Sequence, residues 1–148
     1  MRASLHGPVQ EDQRLFNEFK KALAKNSHTL IWLRTGADDA LWRWSDVAPL
    51  SSYVNEWRNA DNHYVNDELE QAAQRLVESA LDFLSFQATH SETDPREIPD
   101  DDSIYRVYDY FMGDELGERQ TQMGLCERAD RVLAAYNELY LIGSRLGL

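Results

Sequence analysis

The sequence predicts a mainly α-helical, single-domain bundle of four to five helices. Three observations carry that expectation. Several segments repeat apolar residues every three or four positions, polar connections separate them, and cap-forming residues stand at their ends. A chain of 148 residues has room for one domain, here residues 1–148, and can bury a core without metal or disulfide support.

The first helix opens at Pro8. Leu15, Phe16, Phe19, Ala22 and Leu23 share one face, and the acids Glu11 and Asp12 lie toward the N-terminal end and Lys20 and Lys21 toward the C-terminal end, as the helix dipole favours. Between 28 and 45 the helical period lapses. Thr29 to Leu33 form a short apolar run, TGADD reads as a turn, and Trp42 and Trp44 alternate about Arg43; the segment is either a short β-hairpin or a helix end followed by irregular chain.

Helical spacing resumes at Leu50, Tyr53, Val54 and Trp57, and the polar stretch DNHYVN interrupts it. In DELEQAAQRLVESALDFLSF, Asp67 suits an N-cap and Glu70 the reciprocal position of a capping box, with Leu69, Ala73, Leu76, Ala80 and Leu84 along one face. Residues 90–102 read as an exposed acidic loop with two prolines, Pro95 and Pro99, and six acids, Glu92, Asp94, Glu97, Asp100, Asp101 and Asp102. A calcium loop of the EF-hand type needs a central glycine, and this stretch has none, so no metal is expected there. Ser103 suits the cap of a further helix with Ile104, Val107, Tyr108 and Phe111 on its apolar face and Gly113 as its stop. A last helix is expected from Arg119 to Ile142, with Met123, Cys126, Ala129, Val132, Leu133, Tyr136, Leu139 and Tyr140 as its stripe.

The net charge of −11 is uneven along the chain. Through Arg58 there are eight Lys/Arg against seven Asp/Glu, or +1; from Asn59 onward seven stand against nineteen, or −12. Such an anionic body repels nucleic acid and anionic lipid and attracts basic surfaces. No segment has the apolar length of a membrane span or of a signal peptide, so a soluble protein is expected. The lone Cys126 leaves no trace of an oxidising compartment, and a cytoplasmic setting is the simpler expectation; Cys126 itself reads as a small core residue.

All four tryptophans, Trp32, Trp42, Trp44 and Trp57, fall within 26 residues alongside Arg34, Arg43 and Arg58. Such a cluster can form a binding hot spot, but Trp is more often mostly buried, and core is the favoured reading. The four histidines, His6, His28, His63 and His90, are scattered. No phosphate-binding glycine loop, CxxC, HExxH or GxSxG motif occurs, and no pair of carboxylates stands in an apolar context. No cofactor is implied.

One stretch has catalytic chemistry in it. In RNADNH, Arg58, Asn59 and His63 form an RNxxxH pattern that resembles the signature of HEPN ribonucleases, and an amphipathic helix follows it as in that family. The resemblance covers about 30 residues and implies a homodimer that cleaves RNA without metal, with Arg58 stabilising charge on the phosphate, His63 acting as acid or base and Asn59 orienting them. An imidazole that titrates near neutrality and a fixed guanidinium fork suit that chemistry. In a plain structural reading, the same residues end one helix and turn into the next.

Two functional expectations follow. The first is a small acidic protein that binds another protein with a basic surface, as an inhibitor, immunity factor or accessory subunit, through acids such as Glu92, Asp94, Glu97, Asp100, Asp101 and Asp102. The second is a HEPN-like ribonuclease acting as a homodimer, the one case in which RNA would be a partner.

Overall fold

The structure, a computed structural model, describes residues 8–36, 41–93, 104–107 and 115–148. It is a mainly α-helical bundle. Among the described residues there are five helices, α1 (Pro8–Ala22), α2 (His28–Thr35), α3 (Trp44–Asn59), α4 (Asp67–Thr89) and α5 (Glu115–Arg145), and three short strands, β1 (Leu41–Arg43), β2 (Ser91–Thr93) and β3 (Ile104–Val107).

The two longest helices, α4 and α5, run antiparallel along a shared seam. Its buried positions recur at intervals of seven: Leu69, Leu76 and Phe83 with Ala73, Ala80 and Gln87 on α4, and Leu125, Val132 and Leu139 with Ala129, Tyr136 and Gly143 on α5. That is the spacing of knobs-into-holes packing. Along its flank a ladder of ion pairs repeats at the same interval, Glu68 with Arg145, Arg75 with Glu138 and Asp82 with Arg131. The signs alternate from rung to rung. A slip of one heptad would set Glu68 opposite Glu138 and Arg75 opposite Arg131, so the ladder disfavours the nearest wrong register even though each exposed pair contributes little by itself.

Helix α1 packs its aromatic rings against α5 and α3. Phe16 and Phe19 are fully buried, and Phe19 meets the rings of Tyr136 at 5.2 Å and Tyr53 at 5.8 Å. From Tyr53 the line of rings continues through Trp57 at 6.0 Å to Tyr64 at 5.3 Å. Aromatic burial therefore ties α1, α3, α5 and the α3–α4 connection into one core. The Tyr136 hydroxyl donates to the Leu23 carbonyl at 2.7 Å, which satisfies an otherwise orphaned group at the end of α1. Burial pushes the Tyr136 phenol up to about 12.

Several local expectations change. The segment 28–45 is neither a hairpin nor a helix end: His28–Thr35 is a helix of its own, capped by the Ser27 hydroxyl, which accepts from the Leu30 amide, and closed at Gly36. Among the described residues of this segment only Leu41–Arg43 is extended, and its partner is β3, far along the chain. The third helix begins at Trp44, upstream of the expected start, and runs through Pro49; the Asp46 carboxylate accepts from the Arg43 amide at 2.8 Å to hold its first turn. The helix expected after Ser103 is replaced at Ile104–Val107 by β3, the central strand of a three-stranded antiparallel sheet ordered β1-β3-β2; the rest of that expected helix lies outside the described residues. Trp42 stacks on Tyr105 across the sheet at 4.5 Å and donates from its indole to the Ser91 hydroxyl at 2.9 Å.

In α4 the cap is Asn66, not Asp67: its side chain accepts from the Leu69 amide at 3.0 Å. Glu70 is turned to the preceding loop instead of a capping box. On α5 the buried stripe includes Thr121 and Leu125; Met123 is exposed and Cys126 half-buried. Three of the four tryptophans, Trp32, Trp42 and Trp57, are buried, and Trp44 is partly exposed.

Candidate functional site

The RNADNH stretch forms the end of α3 and the turn beyond it. Arg58 and Asn59 close the helix and Ala60 caps it, its amide donating to the Glu56 carbonyl at 2.9 Å. Asp61 adopts a left-handed conformation, φ 51°, which Asp tolerates better than most residues. This lets the chain reverse so that the Asn62 amide reaches the Trp57 carbonyl.

Beyond the turn, two carboxylates hold the chain. Asp12 on α1, nearly fully buried, accepts from the amides of Val65 at 2.7 Å and Asn66 at 3.0 Å. Glu70 on α4 accepts from the Tyr64 amide and meets Nδ1 of His63 at 2.8 Å. The other ring nitrogen of His63, Nε2, faces Asp61 at 3.1 Å. Its hydrogen bonds to Glu70 and then to Asp61 raise the His63 pKa above its ordinary value. Arg58, Asn59 and His63 are all exposed. Arg58 makes no side-chain hydrogen bond or ion pair among the described residues, whereas His63 is occupied at both nitrogens.

Asn59 belongs to a different neighbourhood. Beside the turn, α1 and α3 part to leave an open polar cleft lined by Arg14, Glu18, Asn55, Glu56, Asn59 and Asn62. Adjoining it is a smaller recess of about 40 Å³ whose wall includes Leu15, Ala22, Tyr53 and Trp57, with Glu18, Glu56 and Asn62 common to both. Helical spacing explains the lining: Glu18 lies three residues from buried Leu15 and four from Ala22, and Glu56 three from Tyr53, so both acids stand at the rim of an apolar face.

The cleft's one cation is already paired. Arg14 bonds Glu11 through Nε at 3.2 Å and reaches Glu18 at 2.7 Å through Nη1. Nearby in the core, the hydroxyls of Tyr53 and Tyr64 are buried with no hydrogen-bond partner among the described residues. Burial pushes both phenols above their ordinary range, and Glu18 and Glu70 push in the same direction.

Sequence reasoning singled out Asn59 but passed over Tyr53, Tyr64, Glu18 and Glu56. The acids were legible only as the polar faces of amphipathic helices, because which faces meet is decided by tertiary packing. Of the acidic-loop residues, Glu92 falls in β2, where the strand register sets it opposite Arg106; Asp94, Glu97, Asp100, Asp101 and Asp102 lie outside the described residues. Among the described residues no group of three His, Cys, Asp or Glu side chains is placed to hold a metal, and no described helix is long and apolar enough to cross a membrane.

Comparison with protein-family models, with curated proteins and with solved structures finds no match to this chain.

Proposed function

We propose that this protein acts by binding another protein that presents a basic surface, as an inhibitor, immunity factor or accessory subunit in the cytoplasm. The observation that carries the reading is the α1–α3 cleft: Glu18 and Glu56 with three asparagine side chains surround an opening whose single cation, Arg14, is neutralised by its neighbours. The surplus of nineteen acids over seven bases from Asn59 onward extends the same polarity. Complementary charge of this kind speeds encounter and excludes anionic competitors, nucleic acid among them.

The test is capture from a soluble extract at low and high salt, followed by reconstitution with the purified partner. A basic protein that is released by salt, and that binds more weakly when Asp100, Asp101 and Asp102 are replaced by Asn, is the expected result. An unchanged affinity in that variant removes the acidic loop from the account, and a chain that retains no protein removes the function.

A second reading rests on the common exposure of Arg58, Asn59 and His63 on one turn, where a second copy of the chain can reach them: a HEPN-like, metal-independent ribonuclease acting as a homodimer. It ranks second because both ring nitrogens of His63 are held by carboxylates. RNA cleavage in EDTA that disappears in both Arg58→Ala and His63→Ala, with folding retained, would put it first; a monomer without cleavage would remove it.

A further inference from the structure

The region formed by the last turn of α1, the link beyond it and α2 has the opposite polarity to the rest of the chain. Residues 19–36 include Lys20, Lys21, Lys25, His28 and Arg34 and no Asp or Glu, in a sequence of 26 acids and 15 Lys/Arg. In other parts of the molecule Arg14, Arg75, Arg128, Arg131 and Arg145 each meet a carboxylate. Lys20, Lys21, Lys25 and Arg34 have no carboxylate partner among the described residues. The acids within reach are already taken: Arg14 holds Glu18, three residues before Lys21, and Asp46, nearly buried, is shared by His28 and the Arg43 amide.

Contacts tie three of these cations together. The Lys20 ammonium lies 5.0 Å from the centre of the Phe16 ring and the Lys25 ammonium 5.2 Å from that of Tyr140, and the two rings are 6.1 Å apart. Arg34 donates from Nη1 to the Lys25 carbonyl at 3.2 Å, which joins α2 to the link after α1. Lys21 is exposed beside Lys20 in the last turn of α1. Cations alone make an ordinary solvated surface, but this one has apolar groups within it. Ile31, 48% exposed, lies three residues from both His28 and Arg34 on α2, and Trp44, 44% exposed, belongs to the turn of α3 whose Asp46 meets His28 at 2.6 Å. An exposed isoleucine and tryptophan beside unpaired cations give the surface the anchors of a contact site.

We propose that this face receives a short acidic segment of a protein partner, with its carboxylates on Lys21, Lys25 and Arg34 and an apolar side chain against Ile31. It is a second contact surface, of opposite sign to the acidic one and independent of it. Charge complementarity sets the sign of the occupant, and the surroundings set its size. At physiological salt the field of an exposed charge is screened within about 8 Å. A segment of a few residues therefore meets the cations, whereas an RNA strand or an anionic membrane runs on past them to Glu11, Glu18 and Glu56 and is repelled. Ile31 adds an apolar contact that a phosphate backbone cannot use.

The test is a titration of the full-length chain followed by its amide NMR signals, with a capped Glu-Glu-Leu-Glu-Glu peptide, the same peptide with glutamine for glutamate, the same peptide with glycine for leucine, a short oligouridine, and vesicles of equal parts phosphatidylserine and phosphatidylcholine. The acidic peptide should move the amides of Lys21, Lys25, Ile31 and Arg34 in a saturable way that weakens with salt. The glutamine peptide should not, and the glycine peptide should bind more weakly. Lys21→Gln together with Lys25→Gln should weaken the acidic peptide about tenfold, and Ile31→Ser should remove the advantage of leucine over glycine. All three side chains are exposed, so the melting temperatures should stay close to that of wild type. Arg131→Gln, a change of the same charge on α5, should leave the affinity as it was.

Equal binding of the glutamate and glutamine peptides, or an affinity that Lys21→Gln with Lys25→Gln leaves unchanged, overturns the assignment. So does an equal loss in Arg131→Gln, which would reduce the effect to net charge. Tighter binding of oligouridine or of the vesicles than of the acidic peptide overturns the choice of a protein segment. Shifts of the same amides on raising the protein concentration alone, with no probe present, would give the face to a second copy of the chain and overturn it as well.

Discussion

Replacing Gly143 by alanine would place a methyl carbon 2.2 Å from Cε1 and Cζ of Phe16 and 2.7 Å from Cδ1. The ring has nowhere to go: it is fully buried, with Phe19 at 5.6 Å and Tyr140 at 6.1 Å. In an open helix the same change would stabilise by roughly 1 kcal/mol through backbone entropy. Here overpacking, at about 1–3 kcal/mol and more when backbone must shift, opposes and exceeds that gain.

The net expectation is a loss of about 1–2 kcal/mol, which for a chain of this size lowers the melting temperature by roughly 2–8 °C. Thermal and urea unfolding of wild type, Gly143→Ala, Phe16→Leu and the double variant would measure it. The double variant should be more stable than the sum of the single losses predicts, because the smaller side chain relieves the contact. Gly124→Ala is the comparison: its methyl meets the Phe86 ring edge at 2.9 Å at a half-buried position, so the ring can yield and the loss should be smaller. A Gly143→Ala protein as stable as wild type, or more so, would refute the packing of α1 on α5.

Other consequences can be checked on the same protein. Tyr136→Phe removes the hydrogen bond to the Leu23 carbonyl and should cost about 1 kcal/mol or somewhat more in chemical denaturation, whereas Tyr53→Phe, with no partner to lose, should cost nothing. Reversing Glu138 to Arg sets like charges opposite Arg75 and should lower the melting temperature; adding Arg75→Glu should restore it, and failure to restore would contradict the α4–α5 ladder. His63 has a folded pKa raised above the ordinary 6.5 by Glu70 and Asp61, so its pairing stabilises the fold fully below that ordinary value and loses its effect as pH rises through the raised one. The stability difference between wild type and His63→Gln should therefore be largest in mildly acidic buffer and vanish in alkaline buffer; a difference that grows with pH would have the wrong sign.

The long helices were legible because each repeats its apolar residues over many turns, so that α1, the latter part of α3, α4 and α5 could be read from period and caps. Helix α2 was not, since its eight residues give two turns, too few for a period, and Ile31 and Trp32 favour strands as readily as helices. The helical spacing read from Leu50 onward left out the first turns of α3, from Trp44 through Pro49. Tyr105 pairs with Trp42 across more than sixty residues of chain, and no local pattern announces such a partner; the β-branched and aromatic residues Ile104, Tyr105 and Val107 were the available signal for a strand. At the candidate site, Arg58, Asn59 and His63 were visible as a motif, but their division was not. The carboxylates of Asp61 and Glu70 claim His63, Asn59 turns to the cleft, and the recess with Tyr53 arises only where α1 meets α3.

Site-directed photo-crosslinking tests the protein-binding account most directly. A photoreactive residue at Asn59, on the rim of the cleft, and another at Glu127, exposed on α5, would be activated in a soluble extract and the adducts identified by mass. A basic protein should be joined at Asn59, lost at high salt, with no such adduct at Glu127. Adducts with RNA, with acidic proteins, or equally from both positions would contradict it.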